Sequence, residues 1–192
     1  MYQCHIKLYN NEQQLTDETI ESFGVRLLTW DISGFYINGV NTLLRGGCVH
    51  HDSGLLGAKT YKESEERRVR IIKEAGFNAI RSSHNPASTA MIEACDKFGI
   101  YIIDETWDVW QIKKSKYDYS SHFNENYLSD IKSMIERDYN HPSVIMYSIG
   151  NEVSDPAHTR GIELAREMSL FAKTLDQTRA ITAGLNLFLI NR

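Results

Sequence analysis

At 192 residues, with 42% hydrophobic and 24% charged residues, the chain has the composition of a folded globular protein, long enough to bury a sizeable core, which excludes an intrinsically disordered segment. The formal net charge of -4 is spread over mixed signs with no basic block to track a phosphate backbone, which argues against nucleic acid as a partner. No stretch approaches the roughly twenty apolar residues of a membrane span, no opening segment joins a basic end to an apolar run, and Cys4, Cys48 and Cys95 lack metal-ligand spacing and read as buried free thiols.

In chain order, His5-Ile6-Lys7-Leu8-Tyr9 alternates in the manner of a strand, Asn10-Asn11 turns, and Gly24-Val25-Arg26-Leu27-Leu28 alternates again. A strand-turn-strand follows through Phe35-Tyr36-Ile37-Asn38-Gly39. From about Leu43 onward, strand-like and helix-like segments alternate, which predicts a parallel sheet with crossover helices. Thr60-Tyr61-Lys62-Glu63 has capping-box form and opens a helix with Val69, Ile72 and Ala75 inward, stopped by Gly76. Phe77-Asn78-Ala79-Ile80-Arg81 reads as a short strand. Asn85-Pro86 supplies an N-cap and first-turn proline, Ile92 and Cys95 line the buried face, and Gly99 ends that helix before the strand Ile100-Tyr101-Ile102-Ile103.

A connection from Thr106 to about His122, rich in Trp, Tyr, Lys and Ser, has the length of a functional lid or rim. Helix then runs from about Asn124 to Tyr139 and is broken by Asn140-His141-Pro142. The apolar run Val144-Ile145-Met146-Tyr147-Ser148-Ile149 reads as a strand buried on both faces, followed by Gly150-Asn151-Glu152. A last helix to about Thr174 and the strand Ala180-Ile181-Thr182-Ala183 complete the pattern. The count is about four βα units plus one strand, half of the eight that close a (β/α)8 barrel. The expected organisation is therefore an α/β chain: residues 1–33 as the last strands of an immunoglobulin-like β-sandwich, residues 34–192 as the N-terminal half of a TIM barrel.

In such barrels, chemistry sits at the carboxyl ends of the strands, so Asn151-Glu152 marks the site. Three stretches resemble glycoside hydrolase family 2, the family of β-galactosidases, β-glucuronidases and β-mannosidases. They are Phe35-Tyr36-Ile37-Asn38-Gly39 to Arg45-Gly46-Gly47-Cys48-Val49-His50-His51-Asp52; Asn78-Ala79-Ile80-Arg81-Ser82-Ser83-His84-Asn85-Pro86 to Cys95-Asp96-Lys97-Phe98-Gly99-Ile100-Tyr101; and Asp138-Tyr139-Asn140-His141-Pro142-Ser143 to Gly150-Asn151-Glu152. The resemblance implies hydrolysis of β-galactoside-like glycosides with Glu152 as general acid/base. It implies Asn151 on the sugar 2-hydroxyl, Arg81 supporting the nucleophile, His84 lining the sugar subsite and Asp52 on sugar hydroxyls. His51 and Asn85 depart from the family's usual Glu and Tyr, and the nucleophilic glutamate is expected beyond Arg192. Retaining hydrolysis needs a second carboxyl about 5 to 5.5 Å from the acid, one that also keeps the acid protonated, so the chain alone is expected to be inactive.

Plainer readings stand beside these. Asn151-Glu152 could cap the next helix, Arg81 could be a structural ion-pair partner, and His84 could finish a turn. Asp104-Glu105 either orients site residues or caps. Trp107 and Trp110 either stack on sugar or pack their own loop, and Tyr117-Asp118-Tyr119 with Lys113-Lys114 reads as a solvated rim. His50-His51-Asp52 could ligate a metal, but adjacent strand histidines face opposite ways, and the reading calls for no cofactor and no metal ligand. The competing class is a non-catalytic carbohydrate-binding or oligomerising half-barrel; β-glucuronidase-like specificity is the alternative within the enzyme class. Open barrel edges point to homo-oligomer formation, with local disorder or association expected near the apolar Leu187-Phe188-Leu189-Ile190.

Overall fold

A computed structural model describes residues 1–186 and Phe188. The expectation for Leu187-Phe188-Leu189-Ile190 as a segment thus lies outside the described residues. Among these, no helix is long and apolar enough to cross a membrane.

The architecture centres on one parallel five-stranded sheet in the order β10-β9-β8-β7-β6. Its strands are β6 (Gly46–His50), β7 (Ala79–Ser83), β8 (Tyr101–Glu105), β9 (Val144–Ser148) and β10 (Ala180–Thr182). Between them run α1 (Lys62–Glu74), α2 (Thr89–Phe98), α3 (Ser120–Asp138) and α4 (Thr159–Leu175). Four βα units and a fifth strand, each next to its sequence neighbour, form a partial α/β barrel, as the alternating pattern predicts. Along β6–β9, residues alternate between the two faces, with one register shift where Ile102 pairs with Val144 and Ile103 with Met146, so that Val144 and Tyr147 share a face. Val49, Ile80, Ile102, Val144 and Tyr147 meet Val69, Ile92, Ile131, Ile135 and Met168 of the helices in the main core. Cys48, Arg81, Glu105 and Ser148 turn to the other face, where the polar side chains meet.

Local signals explain most boundaries, and some move. Gly99 ends α2 in the left-handed region at φ 70°, and Gly76 follows α1 at φ 87°. The capping box at Thr60 does not form. Tyr61 is the N-cap, no side chain caps the helix, and Ser64 Oγ instead donates to the Tyr61 carbonyl. Val69 is buried but Ala75 is exposed. Asn85-Pro86 is not the start of α2 either. Ser88 is the N-cap, accepting from Met91 N at 3.1 Å, while the Asn85 carbonyl accepts from Ser82 Oγ at 2.6 Å and so stays in the loop. β7 runs two residues past Arg81, because Ser82 and Ser83 continue in register with Val49 and His50.

At the start of the chain, β1 (Tyr2–Tyr9) and β2 (Leu15–Phe23) form an antiparallel hairpin exposed on both faces. β2 is a strand that alternation does not reveal. Gly24 to Leu27, expected to be a strand, is a connector against the barrel. Gly24 lies on Pro142, and Arg26 spends its guanidinium on the Pro142 and Val144 carbonyls. β3 (Leu28–Asp31), β4 (Gly34–Ile37) and β5 (Val40–Asn41) form a small sheet spanning the expected division at residues 33 and 34. Asn38 and Gly39, at φ 52° and 79°, make its second turn. Leu28 and Ile37 pack on Ile145, covering the end of the parallel sheet opposite the strands' carboxyl ends. Of the cysteines only Cys95 is buried. Cys4 sits on the exposed hairpin and Cys48 on an edge strand, so two of the three expected buried thiols are exposed.

Candidate functional site

The carboxyl ends of β7, β8 and β9 converge on Glu105, which is fully buried. One of its oxygens accepts from Arg81 Nε at 3.0 Å, Arg81 Nη2 at 2.5 Å and Ser148 Oγ at 2.6 Å; the other meets His84 Nδ1 at 2.7 Å. Arg81 pairs with Ile103 on β8, so Glu105, two residues further on, turns to the same face within reach of the guanidinium, and it pairs with Ser148 of β9. A buried carboxylate in that position requires this many partners. Burial pulls the Arg81 guanidinium down, but hydrogen bonding and charge from Glu105, with Cys48 3.8 Å away, outweigh it and hold the group above its ordinary value.

Arg81 reaches further. Its Nη2 donates to Asn151 Oδ1 at 2.8 Å, and Asn151 Nδ2 donates to Asp108 Oδ1 at 2.8 Å. Asn151 is thus held from both ends of its amide and is buried, while the next residue, Glu152, is exposed. Glu152 also sits at φ 42°, a left-handed conformation costing a non-glycine residue roughly 1 kcal/mol, the kind of backbone strain that clusters at functional sites. The turn that carries it is braced carbonyl by carbonyl. Thr106 N takes Ser148 O, Trp110 Nε1 takes Ile149 O, Gly184 N takes Gly150 O and Lys114 Nζ takes Asn151 O.

Burial raises the Asp108 carboxyl, but hydrogen bonds from Lys114 and Asn151, the Lys114 charge and, more weakly, His84 outweigh it and hold the group below its usual range. Asp118, held down to about 2 chiefly by the Ser120 hydroxyl and the Ser115 amide, anchors the loop that delivers Lys114.

The structure therefore brings Arg81, His84 and Asn151 into one network with Glu152 at its rim. The plainer reading of Asn151-Glu152 as a cap does not hold, since α4 starts beyond a 3-10 turn with His158 as N-cap. Asp52 stands apart. It lies past the end of β6, exposed, 3.7 Å from Arg68 of α1. Glu105 orients Arg81 and His84, which decides one of the two readings of Asp104-Glu105. Trp107 and Trp110 pack their own loop: both are buried against Phe123, and Trp107 Nε1 donates to Asp130 at 2.9 Å.

Sequence reasoning missed Asp108 and misread Lys114, which belongs to the network rather than to a solvated rim. A cavity of about 650 Å³ adjoins the cluster, sharing His84 and Asp108 and walled by Pro86, Trp107, Val109 and Met134. Among the described residues, no group of three or more His, Cys, Asp or Glu side chains is placed to hold a metal ion.

Comparison with known proteins gives a consistent result. The family model for the glycosyl hydrolases family 2 TIM barrel domain matches residues 30–187. A β-galactosidase of Bacteroides ovatus, BoGH2A, is 36% identical over 97% of this chain, and a β-glucuronidase of Bacteroides fragilis 32% identical over 97%. The crystal structure of a glycosyl hydrolase family 2 member from Bacteroides cellulosilyticus superimposes with a TM-score of 0.91 at 44% identity, over 95% of this chain. The chain spans about a quarter of these relatives: 26%, 27% and 24% of their lengths.

Proposed function

We propose, from the premise that the chain belongs to glycosyl hydrolases family 2, that it carries the acid/base half of a retaining β-glycosidase site acting on terminal β-D-galactoside-like substrates. The observation that carries the proposal is the pairing at the end of β9: a buried, doubly held Asn151 beside an exposed Glu152 in a left-handed conformation. Glu152 protonates the departing glycosidic oxygen and then, as its carboxylate, takes a proton from the incoming water. Asn151 keeps one amide hydrogen beyond that given to Asp108, and offers it to the sugar 2-hydroxyl, a contact that strengthens as positive charge grows at the anomeric carbon.

Arg81 supports the attacking carboxylate, His84 lines the sugar subsite, and Asp52 approaches sugar hydroxyls across the mouth of the complete barrel. Glu105 is not the attacking group, because both its oxygens are committed and it is sealed from solvent. The nucleophile is supplied by a strand outside these 192 residues, and the chain by itself is inactive. Among the described residues β6 and β10 are the outer strands of the sheet, and their free edges are where such strands, or a second copy of the chain, would add. The two-faced exposure of the β1–β2 hairpin is what the end of a neighbouring β-sandwich requires.

The test is turnover of nitrophenyl β-galactoside, with the glucuronide and mannoside alongside, by the 192-residue chain and by a protein with the barrel completed. Activity in the second alone, lost in Glu152→Gln, supports the reading. Robust activity in the first contradicts the assignment of the nucleophile.

A further inference from the structure

The turn bearing Glu152 is held by neighbours whose contacts are mostly backbone amides or an indole, with one exception. Lys114 Nζ donates to the Asn151 carbonyl at 2.7 Å and to Asp108 Oδ1 at 2.8 Å, and that same oxygen accepts Asn151 Nδ2 at 2.8 Å. The contacts close a ring in which one ammonium and one carboxylate grip both the main chain and the side chain of Asn151. We propose that Lys114, with Asp108, is a positioning residue that sets the Asn151–Glu152 peptide and through it the direction of the acid/base carboxyl. The proposal rests on the acid/base reading of Glu152.

Three features argue for positioning over simple surface pairing. The atom gripped is the carbonyl of the peptide bond whose far side is Glu152, so a shift there rotates the carboxyl directly. Glu152 at φ 42° occupies a conformation that a non-glycine residue does not hold without support from its surroundings. The lysine itself is delivered with care. Asp118 accepts the Lys114 and Ser115 amides at 2.6 and 2.8 Å, and the Ser120 amide and hydroxyl at 3.1 and 2.6 Å, which fixes the loop from which the side chain extends. An ammonium bridging a carboxylate and a carbonyl has the strength of a charge-assisted hydrogen bond, with only part of it open to screening water.

The test compares Lys114→Met, Lys114→Arg and Asp108→Asn with Lys113→Met, an exposed neighbour outside the network. In a protein with the barrel completed, Lys114→Met is expected to lower kcat by about 10²-fold, the scale of a misplaced catalytic group, with KM nearly unchanged. Lys114→Arg restores part of the loss and Lys113→Met has no effect. In the 192-residue chain, amide NMR reads the grip without any catalysis: Lys114→Met and Asp108→Asn shift the Glu152 amide and the Asn151 side-chain NH2 while the β7 and β8 amides stay in place. Because this second reading needs no turnover, it decides the grip on the Asn151–Glu152 peptide even if no β-glycoside is hydrolysed, an outcome that sinks the function proposed above, and with it the acid/base role of the positioned carboxyl, but not the grip itself. Wild-type kcat with unmoved Glu152 and Asn151 resonances in Lys114→Met overturns the proposal. So does a uniform loss of fold in both Lys114→Met and Asp108→Asn, which marks a structural role only.

Discussion

Asp104 and Glu105 are neighbours on β8, both fully buried, yet they point to opposite faces of the sheet and serve opposite ends. Glu105 enters the cluster at the strand ends, with Arg81, His84 and Ser148. Asp104 enters a cluster behind the sheet, accepting from Ala87 N at 2.8 Å and Arg137 Nη2 at 2.6 Å, while Arg137 Nε also reaches Asp138 at 2.6 Å. Burial and the nearby Asp138 raise the Asp104 carboxyl well above its ordinary value, against the lowering pull of Arg137 and the Ala87 amide. Protonated Asp104 can donate to Asp138 Oδ2, which has no other partner among the described residues. The rear cluster ends in Arg137, whose three nitrogens donate to Asp138, the Ala87 carbonyl and Asp104, although its side chain is partly exposed and lines the cavity shared with His84 and Asp108. The front one ends in an exposed carboxylate at Glu152. Burying acids is thus compatible with both roles, and what separates them is whether the network terminates in a group with bonding capacity to spare.

Substitutions on each side sharpen this contrast. Glu152→Gln in a protein with the barrel completed is expected to cost about 10² to 10⁴ in turnover while leaving the thermal midpoint unmoved, since the group is exposed. Kinetics and a melt check it together. Arg137→Met should do the reverse, leaving a buried carboxylate without its cation and lowering stability by about 3 kcal/mol in denaturant unfolding.

A smaller effect is expected for Asp104→Asn, whose amide mimics the protonated acid. The folded Asp104 value lies above the unfolded one, so the native state holds the proton, and this group's contribution to stability falls as pH rises from about 4. The variant should flatten that slope and gain on the wild type toward neutral pH; melts across pH read it. The mildest prediction concerns the loop. Asp118 is held down to about 2, so the stability it contributes is present above its ordinary value of 3.8 and is lost as pH falls from there through about 2. A carboxyl-carbon titration by NMR should place its midpoint near that value, and Ser120→Ala should raise it.

What the chain discloses in advance follows the range of the forces involved. The βα rhythm, Gly76 and Gly99 as helix stops, and the polar pair after an apolar strand are local patterns, and they are legible. Arg81 is marked locally by its place closing an otherwise apolar strand, and His84 by its place just before Asn85-Pro86, but their particular roles come only from the resemblance of three stretches to a known family. Asp108 and Lys114 could not be named, since their partner Asn151 is 43 and 37 residues away, and no periodicity encodes a contact between a loop and a distant strand end. β2 escaped because Thr16, Asp17, Glu18, Thr19 and Glu21 leave neither face apolar, and its exposure on both sides matches. Ser88 displaced Asn85 as the cap of α2 because the Asn85 carbonyl is held by Ser82 and Ala87 N by Asp104, which keeps the helix from starting earlier.

The role of Glu152 is tested most directly by chemical rescue. In a protein with the barrel completed, Glu152→Ala should still form a glycosyl-enzyme from a substrate with a good leaving group, then stall for want of a base. Added azide, which attacks without one, should restore turnover and release the β-glycosyl azide with retained configuration. Hydrolysis at the wild-type rate in Glu152→Ala, or a loss that azide neither relieves nor diverts into the azide product, would contradict the account.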